Sequence, residues 1–181
     1  MKKIKPVTAS VVIKQKINRI DSCRGYIAFF LRILITALVV FVLFSQVFLI
    51  MQAKGNAMFP AVKDGDLLIA FRLQNEYLKN DIVVYTEGED VLVGRLVAKG
   101  GDVVNITESG SLIVNGTTQS GEIMYPTYPG DLLEYPYRVP DDHLFILGDY
   151  RTQTEDSRHT GPIPMDRVKA KVITLLRRRG L

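Results

Sequence analysis

Few side chains in this sequence could act as a general base or hold a metal ion. The two histidines, His143 and His159, are isolated from each other, and the histidines, acids and single cysteine, Cys23, show no metal-ligand spacing. The sequence therefore predicts no metal site and no cofactor. A lysine acts as a base only where burial lowers its pKa, and the surroundings of Lys54 and Lys99 favour contact with lipid or solvent instead.

One apolar segment is long enough to cross a bilayer. From Ile33 to Met51 the chain runs for 19 residues without a charge, which as a helix spans roughly 28 Å of hydrocarbon. This core is longer than that of a cleaved secretory signal, and no A-x-A-like cleavage site follows it. The sequence predicts an uncleaved signal anchor at residues 33–51, between a basic segment at 1–32 and a folded domain at 52–181.

Charge predicts the orientation of this anchor. Eight basic residues and one acid precede the span, a net charge of +7, and basic flanks stay in the cytoplasm. The rest of the chain carries 15 basic and 18 acidic residues. We therefore expect a single-pass protein of the cell membrane with an extracytoplasmic C-terminal domain. The pI near 9.2 reflects the flank, and nucleic-acid binding is not predicted, because no basic face with interleaved aromatics occurs.

Beyond the anchor, short runs rich in valine and isoleucine are separated by turn residues, which is typical of β-strands. Pairs such as Asp64-Gly65 and Asn115-Gly116 predict tight turns between them. Residues 121–140 contain four prolines and are predicted to be a loop or edge segment. Residues 165–181 are predicted to form a strand and a basic tail. The other predicted strands are 67–73, 81–86, 91–98, 103–107, 111–116 and 144–149.

Four segments, in this order, resemble the motifs of type I signal peptidases. GNAMFPAVKDGD at 55–66 is similar to G-x-S-M-x-P-x-x-x-x-G-D, and NDIVVY at 80–85 to G-D-[IV]-V-[VA]-[FY]. GRLVAKGGD at 94–102 is similar to K-R-[VL]-[VI]-[GA]-x-P-G-D. GDYRTQTEDSRHTGPIP at 148–164 is similar to G-D-N-R-x-x-S-x-D-S-R-x-x-G-x-[VI]. One motif alone would be weak, but the ordered set is specific.

The resemblance implies a mostly β, antiparallel domain after one transmembrane helix, with a serine/lysine dyad for catalysis. A serine attacks a carbonyl only when a base such as a neutral lysine activates it. In this sequence the serine position holds Ala57 and the lysine position holds Gly94. A methyl group cannot attack and a glycine cannot accept a proton. Because one lost member already removes most of the rate, the double loss predicts a naturally degenerate site.

The other motif positions are still readable, although Tyr150 and Gly100 replace a usual asparagine and proline. By resemblance, a set of charged or hydroxyl-bearing residues supports the site: Arg95, Asp149, Arg151, Thr154, Asp156 and Arg158. A second set is expected to line the groove for an extended peptide, with ordinary core packing as the alternative: Gly55, Asn56, Met58, Pro60, Ile82 and Val84.

Two functions follow from these patterns. The first is a membrane-anchored, non-proteolytic accessory or chaperone-like factor that binds exported proteins. The family includes dyad-lacking members that assist pilin assembly in Gram-positive bacteria, so the expected partners are the membrane and a pilin segment, with a sortase as a further partner. The alternative is an active signal peptidase, a serine-type endopeptidase that cleaves signal peptides of secreted proteins. A purely structural partner of an active peptidase is a third possibility.

Overall fold

The structure, a computed structural model, describes residues 9–119 and 124–177, with side chains from residue 24 onward. The chain divides into two units, Met1–Ser45 and Gln46–Leu181. We call the second unit the β domain. Cys23 and the start of the basic flank lie outside the described side chains, as do residues 121–123 of the proline-rich segment and Arg178 and Arg179 of the predicted tail.

The N-terminal helix, α1, runs from Ala9 to Val47. Its stretch Arg24–Val47 is long and apolar enough to cross a membrane. The sequence placed Phe48 to Met51 in the same helical span, and this boundary is wrong, because Phe48–Gln52 form a strand. That strand pairs with Leu67–Phe71, Phe48 lying opposite Phe71. Apolar composition alone cannot separate the end of a helix from a buried strand.

Eleven strands are found in the described part of the β domain, together with the short helix α2 at Ser157–Thr160 and a 3-10 turn at Met165–Arg167. The strands are β1 Phe48–Gln52, β2 Leu67–Phe71, β3 Ile82–Glu87, β4 Asp90–Lys99, β5 Val103–Ile106, β6 Leu112–Val114, β7 Thr117–Thr118, β8 Tyr137–Arg138, β9 His143–Leu147, β10 Ile163–Pro164 and β11 Val168–Leu176.

The strands form two antiparallel sheets. Seven strands form the larger sheet in the order β1-β2-β11-β3-β4-β9-β10, and four form the smaller sheet in the order β7-β6-β5-β8. The predicted runs are confirmed as strands, and β8, from the proline-rich segment, is an edge strand. At the predicted Asn115-Gly116 turn both residues have positive φ, 52° and 78°. This is the geometry of the two-residue turn that suits the twist of paired strands.

Strand β11 lies inside the larger sheet and joins its two halves. This last strand of the described chain pairs with β2 on one side and β3 on the other. One face of the sheet buries Val83, Leu96 and Ile146. The opposite face buries Val84 and Ala170. Both faces of the central strands are therefore covered, which is why these runs are almost continuously apolar.

Candidate functional site: a groove beside Ala57

A groove of about 640 Å³ lies on the β domain and contains Ala57. Strand β1, the segment after it and the start of β4 form most of its walls. The lining is mainly apolar, with a few polar and charged groups. Its residues are Leu49, Met51, Gln52, Ala53, Lys54, Gly55, Ala57, Met58, Val62, Tyr85, Glu89, Asp90, Val91, Leu92, Val93, Gly148, Thr154 and Glu155.

Ala57 is exposed in this groove. Hydrogen bonds from the segment after β9 hold its backbone in place. Its carbonyl accepts a hydrogen bond from the Tyr150 N–H at 3.0 Å. The Thr154 hydroxyl lies 3.3 Å from the same oxygen and 2.7 Å from the Tyr150 carbonyl. A Cβ at Gly148 would be 2.7 Å from the Ala57 oxygen, so only glycine allows this approach. The position expected to hold a nucleophile is thus well fixed but carries a methyl group.

Gly94 lies in β4 opposite Val83. A Cβ added there would overlap Cγ2 of Ile146, inside the 3.0 Å below which Cβ contacts are essentially not seen. It would also lie 3.3 Å from Cε1 of Tyr85. Ile146 is fully buried, and its Cγ2 is attached directly to the stiff, branched Cβ. The space beside Gly94 is therefore filled, and a lysine would enter it only if neighbouring side chains moved.

The start of β4 has an open edge. Strand β9 pairs with β4 from Arg95 onward, and no described strand pairs with residues 90–94 on that side. Leu96 donates its N–H to Asp81 on the β3 side at 2.8 Å, and backbone groups alternate between the two sides of an antiparallel strand. Val91 and Val93 therefore direct their N–H and C=O groups to the open edge. Both residues line the groove.

Arg95 and Asp149 form a two-point ion pair beside this edge. The Arg95 Nε and Nη2 atoms donate to the two Asp149 carboxylate oxygens at 2.7 and 2.6 Å. Nη1 of Arg95 donates to the Asn80 carbonyl at 3.0 Å. The Arg95 and Asp149 side chains are 11% and 3% exposed. The pair joins β4 to the segment that follows β9, and that segment also holds Ala57.

A second network surrounds Arg158 and Asp156, which are both buried. Two nitrogens of Arg158 donate to the Asp156 carboxylate at 2.8 and 2.9 Å. The same carboxylate accepts the Gly148 N–H at 3.0 Å. Arg158 also donates to the carbonyls of Arg151 and Thr154. These contacts fix the chain between β9 and α2, which carries Thr154 to the groove.

Arg151 anchors the same segment from its other side. Its Nε donates to the Gly148 carbonyl at 2.7 Å, and its Nη1 to the Thr127 hydroxyl at 2.6 Å. Burial lowers the pKa of the Arg151 guanidinium to about 10, although Asp149 and Asp156 oppose that effect. Arg151 is therefore charged at neutral pH. The structure thus brings together all six residues that resemblance assigned to structural support.

The residues predicted for the peptide groove are only partly brought together. Gly55 and Met58 line the groove, whereas Asn56 and Pro60 are not among its lining residues. Ile82 packs against a core cluster that includes Met58. Val84 is fully buried in a cluster with Ala70 and Ala170, so its assignment to a peptide-contacting surface is wrong. Strands β2 and β11, which carry Ala70 and Ala170, come from other parts of the chain. The second motif therefore does not indicate that Val84 is buried.

Sequence reasoning missed the groove residues of β3 and β4. Tyr85 ends the second motif, and Val91, Leu92 and Val93 precede the third. The third motif begins at Gly94 and so does not include the strand residues before it. The period of two along the predicted strand 91–98 would have indicated that Val91 and Val93 share one face and Leu92 lies on the other.

The histidines lie outside the groove. The His143 Nδ1 atom is 2.8 Å from the Asp141 carbonyl oxygen. His159 is half-exposed and lies 4.0 Å from the Asp156 carboxylate. Across residues 9–119 and 124–177, no group of three or more histidine, cysteine or acidic side chains could hold a metal ion. Neither histidine is among the residues that line the groove at Ala57.

The fold and the groove define a signal peptidase-like β domain, and residues 26–176 match the family model described as "Signal peptidase, peptidase S26". The chain belongs to this family. It is 31% identical over 127 residues to the probable thylakoidal processing peptidase 2, chloroplastic, of Arabidopsis thaliana, covering 63% of this chain and 34% of that protein. It is 28% identical over 131 residues to signal peptidase I T of Bacillus subtilis, covering 64% and 66% respectively.

A solved structure of signal peptidase I from Enterococcus faecalis is also similar. It is 24% identical, with a TM-score of 0.46, and the match covers 55% of this chain and 98% of that one. The chain spans about a third of the length of the Arabidopsis peptidase. Family membership and the apolar helix together indicate association with a membrane.

Proposed function

We propose that this protein is a membrane-anchored, non-proteolytic signal peptidase homologue that binds an extended segment of an exported protein. Its proposed role is that of an accessory or chaperone-like factor in the assembly of Gram-positive pili. The observation that carries the proposal is the groove itself. Ala57 and Gly94 provide neither a nucleophile nor a base, yet the groove beside them is open and has an unpaired strand edge.

Strand addition is the binding mode that the groove supports. An extended peptide can add to an exposed sheet edge through main-chain hydrogen bonds, while alternate side chains enter pockets. Val91 and Val93 offer the backbone groups, and the apolar wall at Met51 and Met58 offers a pocket. With no covalent step, we expect an affinity in the micromolar range, about −8 kcal/mol.

The proposed topology places the groove outside the cell. The basic flank, net charge +7, would stay in the cytoplasm, and a helix such as Arg24–Val47 would cross the membrane once. The β domain would then stand on the side where exported proteins emerge. A pilin segment is the proposed ligand and a sortase a further partner, and both rest on the resemblance to dyad-lacking pilus assembly members.

An active signal peptidase is the rival function, supported by the names of the relatives, which are peptidases. The absence of a hydroxyl at position 57 and the packing beside Gly94 weigh against it. A direct assay separates the two. The full-length protein in detergent should leave a signal-peptide substrate uncut, and cleavage that survives removal of contaminating peptidases would establish the rival.

The binding proposal has its own test at Val91, which is 51% exposed at the strand edge. Val91→Pro removes one N–H from the open side of β4 and leaves the ladder to β3 intact, since proline is tolerated where the N–H of an edge strand faces outward. Val91→Thr keeps both the N–H and the branched shape, and is the matched control. In a pilus-forming host we expect polymerised pilin on the cell wall to fall with proline and to stay unchanged with threonine.

Circular dichroism of both purified variants controls for folding. Normal pilus assembly by a folded Val91→Pro protein would contradict strand addition at this edge. Assembly that also stays normal when the gene is deleted would contradict the pilus role itself. Loss of pili on deletion, with no effect of the groove variants, would instead favour the structural-partner alternative.

A further inference from the structure

Tyr85 is a buried residue whose hydroxyl has no hydrogen-bond partner in the described part of the fold. The residue is 3% exposed and lines the groove. Within the described residues its hydroxyl has no hydrogen-bond partner, although it is not one of the fully enclosed unpaired atoms. Buried tyrosine hydroxyls usually find a partner. The Tyr85 hydroxyl is left for water or for a ligand in the groove that Tyr85 lines.

Gly94 explains how a tyrosine on β3 reaches a groove at the edge of β4. Tyr85 pairs with Leu92, and Gly94 is two residues further along β4, so Tyr85 and Gly94 are diagonal neighbours on one face. The Tyr85 Cε1 atom lies 3.3 Å from where a Cβ of residue 94 would be. A glycine in a strand leaves room for such a close approach. The ring therefore lies closer to position 94 than a side chain there would ordinarily permit.

The two faces of β4 present different linings to a ligand at its open edge. Val93 packs with Met51 and Met58 on one face. Leu92 packs with the cluster of Tyr85 on the other. Side chains of an added strand would point alternately to these faces, while its backbone groups would lie in the plane of the sheet. Tyr85 is therefore positioned to meet a side chain of the ligand rather than its backbone.

We propose that Tyr85 is a specificity-determining residue that selects a hydroxyl- or amide-bearing side chain, serine, threonine or asparagine, at one position of the bound segment. This inference rests on the proposed function, because it requires an extended peptide along β4. An alanine at that position leaves the tyrosine hydroxyl without a partner and out of water, which penalises binding. Sites built around a hydrogen bond reject a ligand that lacks it more strongly than apolar pockets do.

The protonation state agrees with this role. Burial raises the pKa of the Tyr85 phenol far above its ordinary value, and the charges of Glu87 and Asp156 raise it further. The phenol is therefore neutral at physiological pH and can either donate or accept one hydrogen bond. The same two negative charges disfavour an acidic side chain at this position of the ligand.

A serine scan tests the proposal with the full-length protein in detergent micelles. The probes are fluorescein-labelled peptides with nine residues of alternating alanine and valine between terminal lysines, each with one residue replaced by serine. Fluorescence anisotropy gives the affinity. We expect one serine position to bind about fivefold to tenfold more tightly than the unsubstituted peptide, the gain of a neutral hydrogen bond.

Tyr85→Phe should abolish the serine preference without weakening the binding of the unsubstituted peptide, because the hydroxyl that this peptide would leave without a partner is gone. It removes only an unpaired hydroxyl, so the fold is preserved. Tyr135→Phe is the matched control, because the Tyr135 hydroxyl is also buried and unpaired but the residue packs in another cluster, away from the groove lining. This control should keep the serine preference.

The possible negative results separate the role of Tyr85 from the proposed peptide-binding function. Peptides that bind without a serine preference, or with one that survives Tyr85→Phe, would overturn the role of Tyr85 and leave the binding function standing. If Tyr85→Phe weakens the binding of all peptides equally, the Tyr85 hydroxyl bonds the peptide backbone. That result would also overturn the proposed selection of a polar side chain. If no peptide binds the parent protein, both the binding function and this inference are overturned.

Discussion

Ile146 on β9 occupies the space that a side chain at Gly94 on β4 would need. A Cβ atom at Gly94 would overlap Cγ2 of this fully buried isoleucine. A glycine in a strand otherwise costs conformational entropy relative to alanine, so its replacement would usually stabilise the fold. At Gly94 the overlap with Ile146 makes the replacement destabilising instead.

We predict that Gly94→Ala lowers the free energy of unfolding by about 1–3 kcal/mol, the usual cost of overpacking a core. Ile146→Ala, which removes Cγ2, should itself cost about 2–5 kcal/mol. The double variant should be at least about 1 kcal/mol more stable than the sum of the two effects, because the alanine at 94 then has room. Urea unfolding of the four proteins measures this, and simple additivity would contradict the contact.

Restoring the dyad residues should not restore a peptidase. In Ala57→Ser with Gly94→Lys the lysine stem meets Ile146 and Tyr85 before its amine can approach position 57. We expect no cleavage of a signal-peptide substrate by this double variant, or by Ala57→Ser alone, over hours by gel assay. A bacterial signal peptidase with an intact serine/lysine dyad is the positive control. Cleavage by the folded double variant would show that the packing rearranges easily.

Asp149→Ala should be severely destabilising. The variant removes the carboxylate to which the Arg95 guanidinium donates twice, and removing one partner of a buried ion pair costs about 3–5 kcal/mol. Replacing both partners, Arg95→Met with Asp149→Leu, should cost less than Asp149→Ala because the variant buries neither charge. Denaturant unfolding of both proteins tests the ranking, and equal losses would argue against a buried pair.

Asp102 should make the stability of the domain depend on acid pH. Burial raises its pKa, but the Lys99 N–H, the Asn115 amide and the Lys79 ammonium outweigh burial, so the net pKa is lowered from 3.8. The unfolded chain then binds the proton more readily, so the stabilisation is present above pH 3.8 and is lost as the pH falls through the lowered folded value.

Asp102→Asn should therefore cost about 1 kcal/mol at pH 7, and this difference from the parent should shrink below pH 3.8. The Asp102 side chain is 13% exposed, so solvent screens it little. Asp131→Asn, a change at an exposed acid, is the control and should follow the parent at every pH. A difference that stays constant down to pH 2 would exclude the linkage.

Protease accessibility tests the proposed topology. Protease added to intact protoplasts should digest the β domain, while an N-terminal tag should survive until the membrane is permeabilised. The physical reason is the +7 flank, which is costly to move across the membrane. A protected β domain in intact protoplasts, with a digested tag, would show the opposite orientation.

Local patterns were enough to predict much of this protein. A charge-free apolar run predicts a membrane helix, valine-rich runs between turn residues predict strands, and four ordered motifs identify the family. The absence of a hydroxyl at Ala57 and of an amine at Gly94 is readable directly, because a side chain that is missing from the sequence cannot be supplied by folding. The charged residues of the last motif lie together in the structure, around the segment between β9 and α2.

Only the tertiary structure decided which surfaces those residues reach. The helix ends at Val47 because Phe48 to Met51 find a partner in β2, and Val84 is buried in a cluster that β11 joins when it returns from the far end of the chain to pair with β3. Tyr85 reaches the groove because Gly94, on the neighbouring strand, leaves space for its ring. Burial depends on strands distant in sequence, and a motif describes only the neighbours along the chain.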